Sequence, residues 1–520
     1  MQLGLRKRYK HLQRYRQIAN ILARHGFDFL LRDLELAQFL ERRKKDAANR
    51  PKEALPRVIR AQRLRMVLED LGPTFIKLGQ FFSTRTDFLA SEYIRELEKL
   101  QDDVPPFSYP EAKETIQMEL GHPIEKLFTS FDRVPLAAAS IGQVHRATLP
   151  NKQEVVVKIR RPGVEKRLAT DLEILHDLAR LADRDTSFQN VYSFRAMVEE
   201  FEEVITRELD FSKEGFHAEI FRKNFRDDPS IYIPEVVWDY TTPRVLTMEY
   251  VEGVKLTDIA EISNRGINRK IIARLLSSAL LQMVLLDGFF HADPHPGNLS
   301  ALKDDKLVFM DFGIVGHLSE NLKKCIGDLV LGLINRNTSQ VTRALTDMGV
   351  LPPDIDRDAF YHDVDRMREK YYEIPFEELK LADSINDVLG IASRHSIRIP
   401  MKITMLAKAL VTAEGVSRQL DPELSLAEVA RPFKNRLLAR RFNFKSLRHQ
   451  LMLNLADFQR LLTHLPQRLE QITELIYAWQ LKIKIHNPDI YYFANKLNAL
   501  VNRLVLSILL GSLIIGSSLL

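Results

Sequence analysis

The sequence predicts an α+β fold of two lobes with an added helical region at its N-terminal end, and three observations support this. Apolar residues recur at helical spacing over residues 1–107. Two strand candidates, Glu154–Ile159 and Val245–Tyr250, then flank long amphipathic helices over about 165–225. From about 254 to 435 the pattern is mostly helical. Strands concentrated in one part of the chain and helices in the rest are typical of α+β proteins.

Length and composition set the number of units and exclude some partners. A chain of 520 residues suits two or three packed units, and 45% hydrophobic with 28% charged residues is ordinary for a folded protein. The single cysteine, Cys325, excludes an intrachain disulfide and fits a reducing compartment. No basic patch interleaved with aromatic residues suggests nucleic acid as a partner. The predicted regions are an N-terminal extension (1–107), a first lobe (108–253), a second lobe (254–435), an amphipathic helical region (436–503) and a membrane segment (504–520).

The C-terminal residues differ from the rest of the chain. Leu504–Leu520 is a largely apolar run of 17 residues without a charge. As a helix it covers about 25 Å, slightly less than the roughly 30 Å of a bilayer core, so we expect a transmembrane helix that the given sequence truncates. The Leu-rich stretch from Leu451 to Leu465 is either a lipid-facing helix or one packed on the core. Basic residues upstream predict that the large domain is cytoplasmic: they are Lys482, Lys484, Lys496 and Arg503.

The basic N-terminal segment has two open interpretations. Seven Lys or Arg residues precede the first acidic residue, Asp28. They could lie on an anionic membrane surface or form a solvated helix face.

Two sequence patterns in register indicate phosphoryl chemistry. The run from His291 to Asn298 has the H-x-D-x-x-x-x-N spacing of a protein-kinase catalytic loop. In that pattern Asp293 is the carboxylate beside the attacking oxygen, and Asn298 is a metal ligand. A short apolar strand then leads to the Asp311-Phe312-Gly313 sequence, whose Asp holds Mg²⁺ between phosphates. The sequence therefore predicts a two-lobed protein-kinase-like fold.

Upstream residues supply the remaining parts of a nucleotide site. Lys158 ends a strand of the V-A-I-K type and is expected to contact the α and β phosphates. Aligned on Val144, the preceding loop is G-x-G-x-x-G-x-V with alanine at the first two glycine positions, and alanine disfavours positive φ. We expect a stiffer loop here. The segment Met248–Gly253 ends a strand, and we expect it to form a hinge in which the backbone of Glu249 and Val251 meets the adenine edge. The candidate nucleotide-binding residues are Ala137, Ala138, Ala139, Ser140, Ile141, Gly142, Val144, Lys158, Glu249 and Val251.

These residues resemble the UbiB family of atypical kinases, which includes the mitochondrial coenzyme-Q-associated ADCK proteins. The resemblance implies a two-lobed fold that binds ATP or ADP with Mg²⁺, and an association with ATPase activity and isoprenoid quinone biosynthesis at membranes. It also implies a membrane lipid or isoprenoid quinone precursor, and quinone-biosynthesis proteins, as partners. The sequences that carry it are Lys77-Leu78-Gly79-Gln80, similar to the KxGQ motif; Ala137–Gln143, similar to the Ala-rich loop; and Glu208-Leu209-Asp210, similar to the E-x-D motif.

The resemblance also assigns site residues in the N-terminal extension and first lobe. It implies that Glu208 meets Lys77, that Glu214 is the partner of Lys158, and that Gln80 faces the nucleotide pocket. Glu208 and Glu214 are six residues apart, which on one helix separates them by roughly 120° and suits two cationic partners. One departure is Gly215-Phe216-His217, where the family carries Ala-Ala-Asn. The candidate catalytic residues are Asp293, Lys158, Glu208, Glu214, Lys77 and Gln80, and the candidate metal ligands are Asn298 and Asp311.

Three features argue against an ordinary protein kinase. Ala292 replaces the usual Arg before the catalytic Asp, and His295 stands where a Lys approaches the transferred phosphate. The chain also becomes helix-like by about Ser319, which leaves no long activation segment. The favoured hypothesis is an ATPase, or a kinase acting on a small molecule or lipid. The alternatives are a protein kinase acting in trans and a nucleotide-binding pseudokinase scaffold.

Overall fold

The fold was obtained as a computed structural model, and the residues it describes are distributed along most of the chain. In the part of the chain that the structure describes, we find no helix with the length and apolar character that crossing a bilayer requires. The segments predicted at 436–503 and 504–520 lie outside the described residues. The structure describes residues 2–27, 57–83, 85, 89–100, 104–183, 193–334, 337–348, 355–372, 381–395, 397, 399–425 and 428–433.

The described part of the N-terminal extension is mostly helical, as the periodicity predicts. Its apolar faces meet in one core that also takes in two later helices, residues 164–182 and 194–208. This shared core attaches the extension to the first lobe. The helices are α1 (Gln2–Arg24), α2 (Arg57–Leu71), α3 (Pro73–Ser83) and α4 (Ser91–Leu97).

The first lobe contains an antiparallel sheet in the order β1-β3-β4-β6, with β2 paired to β3. Alternate residues of β4 point to opposite faces, as in any strand. Val155, Val157 and Ile159 are buried against α5 and α6, so Lys158 projects from the other face. The elements are α5 (Tyr109–Leu120), α6 (Ile124–Leu127), β1 (Ser130–Phe131), β2 (Ala137–Ala138), β3 (Gly142–Thr148), β4 (Glu154–Arg160) and, later in the chain, β6 (Val245–Glu249).

In the described part of the chain, three α-helices lie between β4 and β6 in sequence, where the sequence predicts amphipathic helices. They are α7 (Val164–Ala182), α8 (Phe194–Glu208) and α9 (Phe211–Asn224). One side of α9 belongs to the main core of the second lobe, through Phe211, Ala218 and Phe221. This helix therefore packs against both the sheet and the second lobe.

The second lobe combines short strands with helices. Its central helix α11 (Arg269–Gln282) continues as a π-helical turn, Met283–Asp287. Strands pair in the order β5-β10-β9-β7, and β8 pairs with β11. The strands are β5 (Ile231–Tyr232), β7 (Val254–Lys255), β8 (Phe289–His291), β9 (Leu299–Ala301), β10 (Leu307–Phe309) and β11 (Val315–His317); the other helices are α10 (Ile259–Asn264), α12 (Glu320–Ile334), α13 (Thr338–Met348), α14 (Arg357–Tyr372), α15 (Leu381–Arg394) and α16 (Met401–Leu420).

Candidate active site

The centre of the candidate site is an ion pair between β4 and α9. Lys158 Nζ donates to both carboxylate oxygens of Glu214, at 2.9 and 2.8 Å. The aromatic ring of Phe211 lies 5.2 Å from the same ammonium. Burial by itself lowers the pKa of Lys158, but Asp311 and Glu214 together raise it above its ordinary range. Lys158 is therefore a fixed positive charge at the inner face of the sheet.

Asp311, a residue of the second lobe, lies next to the Lys158 ammonium. Its Oδ2 lies 3.6 Å from Lys158 Nζ, and its Oδ1 accepts a hydrogen bond of 2.8 Å from the Gly313 N–H. Burial alone would raise the pKa of Asp311, but the Lys158 ammonium and the Gly313 N–H lower it to about 2. The carboxylate is thus ionised at neutral pH, and 43% of its side chain is exposed and accessible to a ligand.

The catalytic-loop residues are joined to one another beside Asp311. Asn298 Nδ2 donates to the backbone carbonyl of Asp293 at 3.1 Å and approaches its Oδ2 at 3.4 Å. The Met310 N–H donates to the Asn298 carbonyl at 3.0 Å. Asp293 N–H donates to His291 Nδ1, and His291 Nε2 lies 2.5 Å from the Asp311 carbonyl oxygen. Backbone contacts therefore hold Asp293, Asn298 and Asp311 in one neighbourhood.

The donor set fits a magnesium ion bound together with phosphates. Mg²⁺ usually takes one or two protein oxygens and completes its shell with water and phosphate oxygens. Asp311 supplies an ionised carboxylate, and the amide nitrogen of Asn298 is engaged with Asp293, which leaves its oxygen as a possible ligand. Among the described residues no group of three or more His, Cys, Asp and Glu side chains is arranged to hold a metal by itself.

The Ala-rich loop is a tight hairpin between β2 and β3. The Ala139 N–H donates to the Gly142 carbonyl at 2.7 Å, and no residue from 137 to 142 has a positive φ. Alanine is therefore accommodated without backbone strain. Gly142 is needed for a different reason: a Cβ there would lie 2.5 Å from the Ile159 carbonyl oxygen of β4.

The predicted hinge follows β6. The Glu249 N–H donates to the Glu235 carbonyl at 2.8 Å, and its side chain accepts a hydrogen bond of 2.6 Å from Tyr232. The Val251 carbonyl accepts from Gly253, whereas the Val251 N–H has no hydrogen-bond partner among the described residues. At the predicted hinge the Val251 N–H is therefore available as a donor, whereas the Glu249 N–H is already used.

The N-terminal extension contributes Lys77 but not Gln80 to this neighbourhood. Lys77 Nζ lies 3.3 Å from Glu208 Oε2, and both side chains are largely buried. The Lys77 charge also lowers the pKa of Asp311, after the larger effects of burial, Lys158, Gly313 and His291. Gln80 instead donates its side-chain amide to the Leu100 carbonyl, at 3.1 Å within the extension.

The two predicted glutamate partners are present, but the helix geometry inferred for them is wrong. Glu208 ends α8 and Glu214 lies in α9, so they do not share one helix. The break occurs because Asp210 caps α9: its Oδ1 accepts from the Ser212 N–H at 3.2 Å. The acidic residue of the E-x-D sequence is therefore a helix cap, and the two glutamates diverge because the chain turns between them.

A histidine of unassigned role joins α9 to the Asp311-Phe312-Gly313 segment. His217 Nδ1 lies 3.0 Å from the Phe312 carbonyl oxygen, at hydrogen-bond distance. Burial is the main cause that lowers the pKa of His217 and of His291. The two rings thus lie at hydrogen-bond distance from successive carbonyls, those of Asp311 and Phe312. In the sequence, His217 stands out only because the family carries Asn at this position.

Comparison with family models matches most of this arrangement. The model described as ABC1 atypical kinase-like domain matches residues 99–345, which contain the Ala-rich loop, Lys158, Asp293 and Asp311. The model described as UbiB helical domain matches residues 364–425. A third, the ABC1/UbiB kinase-like C-terminal domain, matches residues 488–520, outside the described residues.

Relatives of similar length support the same grouping. The chain is 32% identical to a protein of Xanthomonas axonopodis pv. citri named "Probable protein kinase UbiB", over 98% of this chain and 94% of that protein. It is 36% identical to the uncharacterized protein sll1770 of Synechocystis, over 82% of this chain and 74% of that one. Among solved structures, the Rv3197–erythromycin complex from Mycobacterium tuberculosis has the same fold, with a TM-score of 0.52 at 23% identity over 71% of this chain and 94% of that one.

Proposed function

The chain belongs to the UbiB family of atypical kinase-like proteins, and from this premise we propose that it is an ATP-dependent enzyme acting at a membrane. It hydrolyses ATP, or transfers the γ-phosphoryl group to a small molecule or lipid, in support of isoprenoid quinone biosynthesis. The quinone link rests on the UbiB name of its relatives.

One observation carries the proposal: Lys158 contacts both Glu214 and Asp311. Lys158 and Glu214 come from the first lobe and Asp311 comes from the second, so the contact joins the two lobes at a single charge cluster. A triphosphate bound beside Lys158 would replace Asp311 as the anion next to the Lys158 ammonium. Asp311 and Asn298 would then be available to hold Mg²⁺. The bound ion would neutralise charge on the phosphates, while the side chain of Asp293 would orient the attacking oxygen.

The described geometry favours a small acceptor or water over a protein acceptor. β11 begins two residues after Gly313, and α12 follows at Glu320, so the described chain has no long peptide platform there. Lys77 of the extension is also close enough to influence Asp311 electrostatically. The relatives named "Probable protein kinase UbiB" keep a protein kinase as the alternative. Transfer of labelled γ-phosphate to a defined protein residue would favour it.

The decisive experiment replaces Asp311 by Asn in the full chain. Asp311→Asn removes the ligand charge while it keeps the shape, so Mg²⁺-dependent ATP hydrolysis is expected to fall by about 10²-fold or more. The matched control is Asp304→Asn, an exposed carboxylate of the β9–β10 turn that only pairs with Lys306. Equal phosphate release by wild type, Asp311→Asn and Asp304→Asn would reject the mechanism. No phosphate release by the wild type would instead support the alternative of a nucleotide-binding pseudokinase scaffold.

Membrane attachment with the kinase-like domain on the cytoplasmic side is part of the proposal. Its support is the sequence of 504–520 and the basic residues before it. Deletion of residues 504–520 is expected to move the protein from the membrane fraction to the supernatant after centrifugation. Retention of the shortened chain with membranes would contradict a single tail anchor.

A further inference from the structure

Helix α9, which carries Glu214 of the candidate site, has an exposed apolar patch on its outer side. Phe216 is 58% exposed, and Ile220, one turn further along the helix, is 40% exposed. Trp238, in a short 3₁₀ turn before β6, is 37% exposed, and its ring centroid lies 4.6 Å from that of Phe216. Apolar side chains that are exposed singly are ordinary, whereas contiguous ones mark interaction sites. We call Phe216, Ile220 and Trp238 the α9 patch.

The α9 patch is held in its shape by contacts beneath and beside it. The Trp238 indole lies against Gly215, where an added Cβ would be 3.2 Å from the ring. Further along α9, Arg222 Nη1 donates to Glu235 Oε1 at 3.3 Å. The chain from Glu235 to Trp238 therefore runs beside α9, with Trp238 at the Phe216 end. The patch is thus formed before any partner binds.

Two exposed charges of opposite sign lie at the two ends of the α9 patch. Lys223 follows Ile220 by one turn of α9 and lies seven residues, about 10 Å, beyond Phe216. Asp239 follows Trp238 and therefore lies at the Phe216 end. Neither Lys223 nor Asp239 has a salt-bridge partner in the part of the chain that the structure describes. The remaining charges on the outer side of α9 are paired: Lys213 with Asp210 at 3.9 Å, and Arg222 with Glu219 at 3.9 Å and with Glu235 at 3.3 Å.

This order of charges is complementary to itself. When two copies of the α9 patch meet across a twofold axis, the Lys223 end of each copy faces the Asp239 end of the other, and the apolar side chains meet between them. A surface of anionic lipid would instead favour basic residues throughout, and a strongly charged protein partner would favour a rim of one sign. The balanced rim therefore fits a second copy of this chain.

The inner side of α9 faces the candidate site. Glu214 accepts from Lys158 there, and Phe221 is fully buried in the core of the second lobe. His217 Nδ1, on the same helix, lies 3.0 Å from the Phe312 carbonyl oxygen. A contact on the outer side of α9 therefore restrains the helix that holds Glu214 against Lys158.

We propose that a second copy of this chain docks on the α9 patch in a weak twofold dimer, with Lys223 of each copy beside Asp239 of the other. Docking restrains α9 and with it the Lys158–Glu214 pair. Stable dimers bury about 800 Å² on each partner, so a contact of three apolar side chains is weak and depends on protein concentration. The dimer itself does not rest on the proposed ATP turnover.

Sedimentation velocity of the full chain, at rising protein concentration and a constant ratio of detergent to protein, measures the association. Lys223→Glu and Asp239→Lys are each expected to weaken it about tenfold, because each change places like charges together at both ends of the dimer. The double variant Lys223→Glu/Asp239→Lys exchanges the signs and is expected to associate like wild type. The control Lys166→Glu, at an exposed lysine of α7 without a salt-bridge partner among the described residues, should also associate like wild type. A monomer at every concentration, or a double variant as weak as the single ones, would overturn the proposal.

A second comparison tests the apolar part of the contact. Phe216→Gln is expected to weaken the association about tenfold, since removal of an aromatic side chain from the centre of a contact is costly. Met118→Gln removes an apolar side chain of α5 that is 65% exposed and lies outside the α9 patch, so it should associate like wild type. Equal association of the two variants would contradict the role of the patch.

Hydrogen exchange tests the restraint of α9. Amides of residues 211–224 should exchange more slowly as the wild type associates, and at a rate independent of concentration in the Phe216→Gln variant. An unchanged exchange rate in the associated wild type would contradict the restraint. Because none of these measurements requires ATP, failure of this proposal and failure of the proposed function are distinguishable.

Discussion

Two lysine–glutamate pairs, one within the first lobe and one between the extension and the first lobe, have similar burial but different surroundings. Lys158 contacts both oxygens of Glu214 and a second carboxylate, Asp311, from the other lobe. Lys77 is paired with Glu208 at 3.3 Å and joins the extension to the end of α8. A cation between two carboxylates can exchange one of them for a phosphate and stay paired, so Lys158 is suited to nucleotide chemistry and Lys77 to holding the extension in place.

Replacing each lysine by Met tests most directly whether the two lysines have different roles. Lys158→Met is expected to lower ATP turnover by about 10²-fold or more, because the phosphates lose their fixed cation. Lys77→Met should lower it by less than about tenfold, since Lys77 acts on Asp311 only at a distance. The measurement is steady-state phosphate release under saturating Mg²⁺-ATP.

Unfolding of Lys158→Met would confuse that result, because Glu214 would be left buried and unpaired. The double variant Lys158→Met/Glu214→Gln removes the orphaned charge and is the folding control. Comparable turnover in the two lysine variants, with both folded by circular dichroism, would show that the pairs have the same role.

A smaller effect, on the pH dependence of stability, is expected at His217, which lies on the same helix α9 as Glu214. Burial lowers the pKa of His217, so the folded state favours its neutral ring. The resulting stability is complete above the ordinary histidine pKa of about 6.5 and is lost as the pH falls from there towards the lowered value. His217→Asn should therefore lose less unfolding free energy than wild type between about pH 7.5 and about pH 5.5.

The expected difference is below about 1 kcal/mol, because solvent screening weakens the effect at a partly exposed ring. Urea unfolding at the two pH values measures it. His291 has a lowered pKa as well and is unchanged in the variant, so part of the pH dependence should persist. Identical pH dependence in the two proteins would mean that His217 does not titrate with folding.

Much of the site was predictable because its sequence signals are local. Strand β4 and the position of Lys158 follow from alternation and spacing, and the catalytic loop and Asp311 lie only 18 residues apart across a short hairpin. The lysine partners of Glu208 and Glu214 were predicted from the family resemblance alone. The prediction that both glutamates lie on one helix was wrong, because the helix ends before Asp210. The Asp210 side chain accepts a hydrogen bond from the Ser212 N–H and so begins a new helix, and the spacing of apolar residues gives no sign of such a cap.

The sequence by itself predicted the α+β class, the order of the elements of the candidate nucleotide site, and Lys158, Asp293 and Asp311, since these depend on periodicity and short-range spacing. Lys77, Glu208 and Glu214 were assigned only by the family resemblance. Tertiary structure alone decided that Gln80 donates a hydrogen bond to the Leu100 carbonyl, that Gly142 lies against β4, and that Asp311 lies 3.6 Å from Lys158. These contacts join distant segments, and they depend on how side-chain volumes pack when the chain closes on itself.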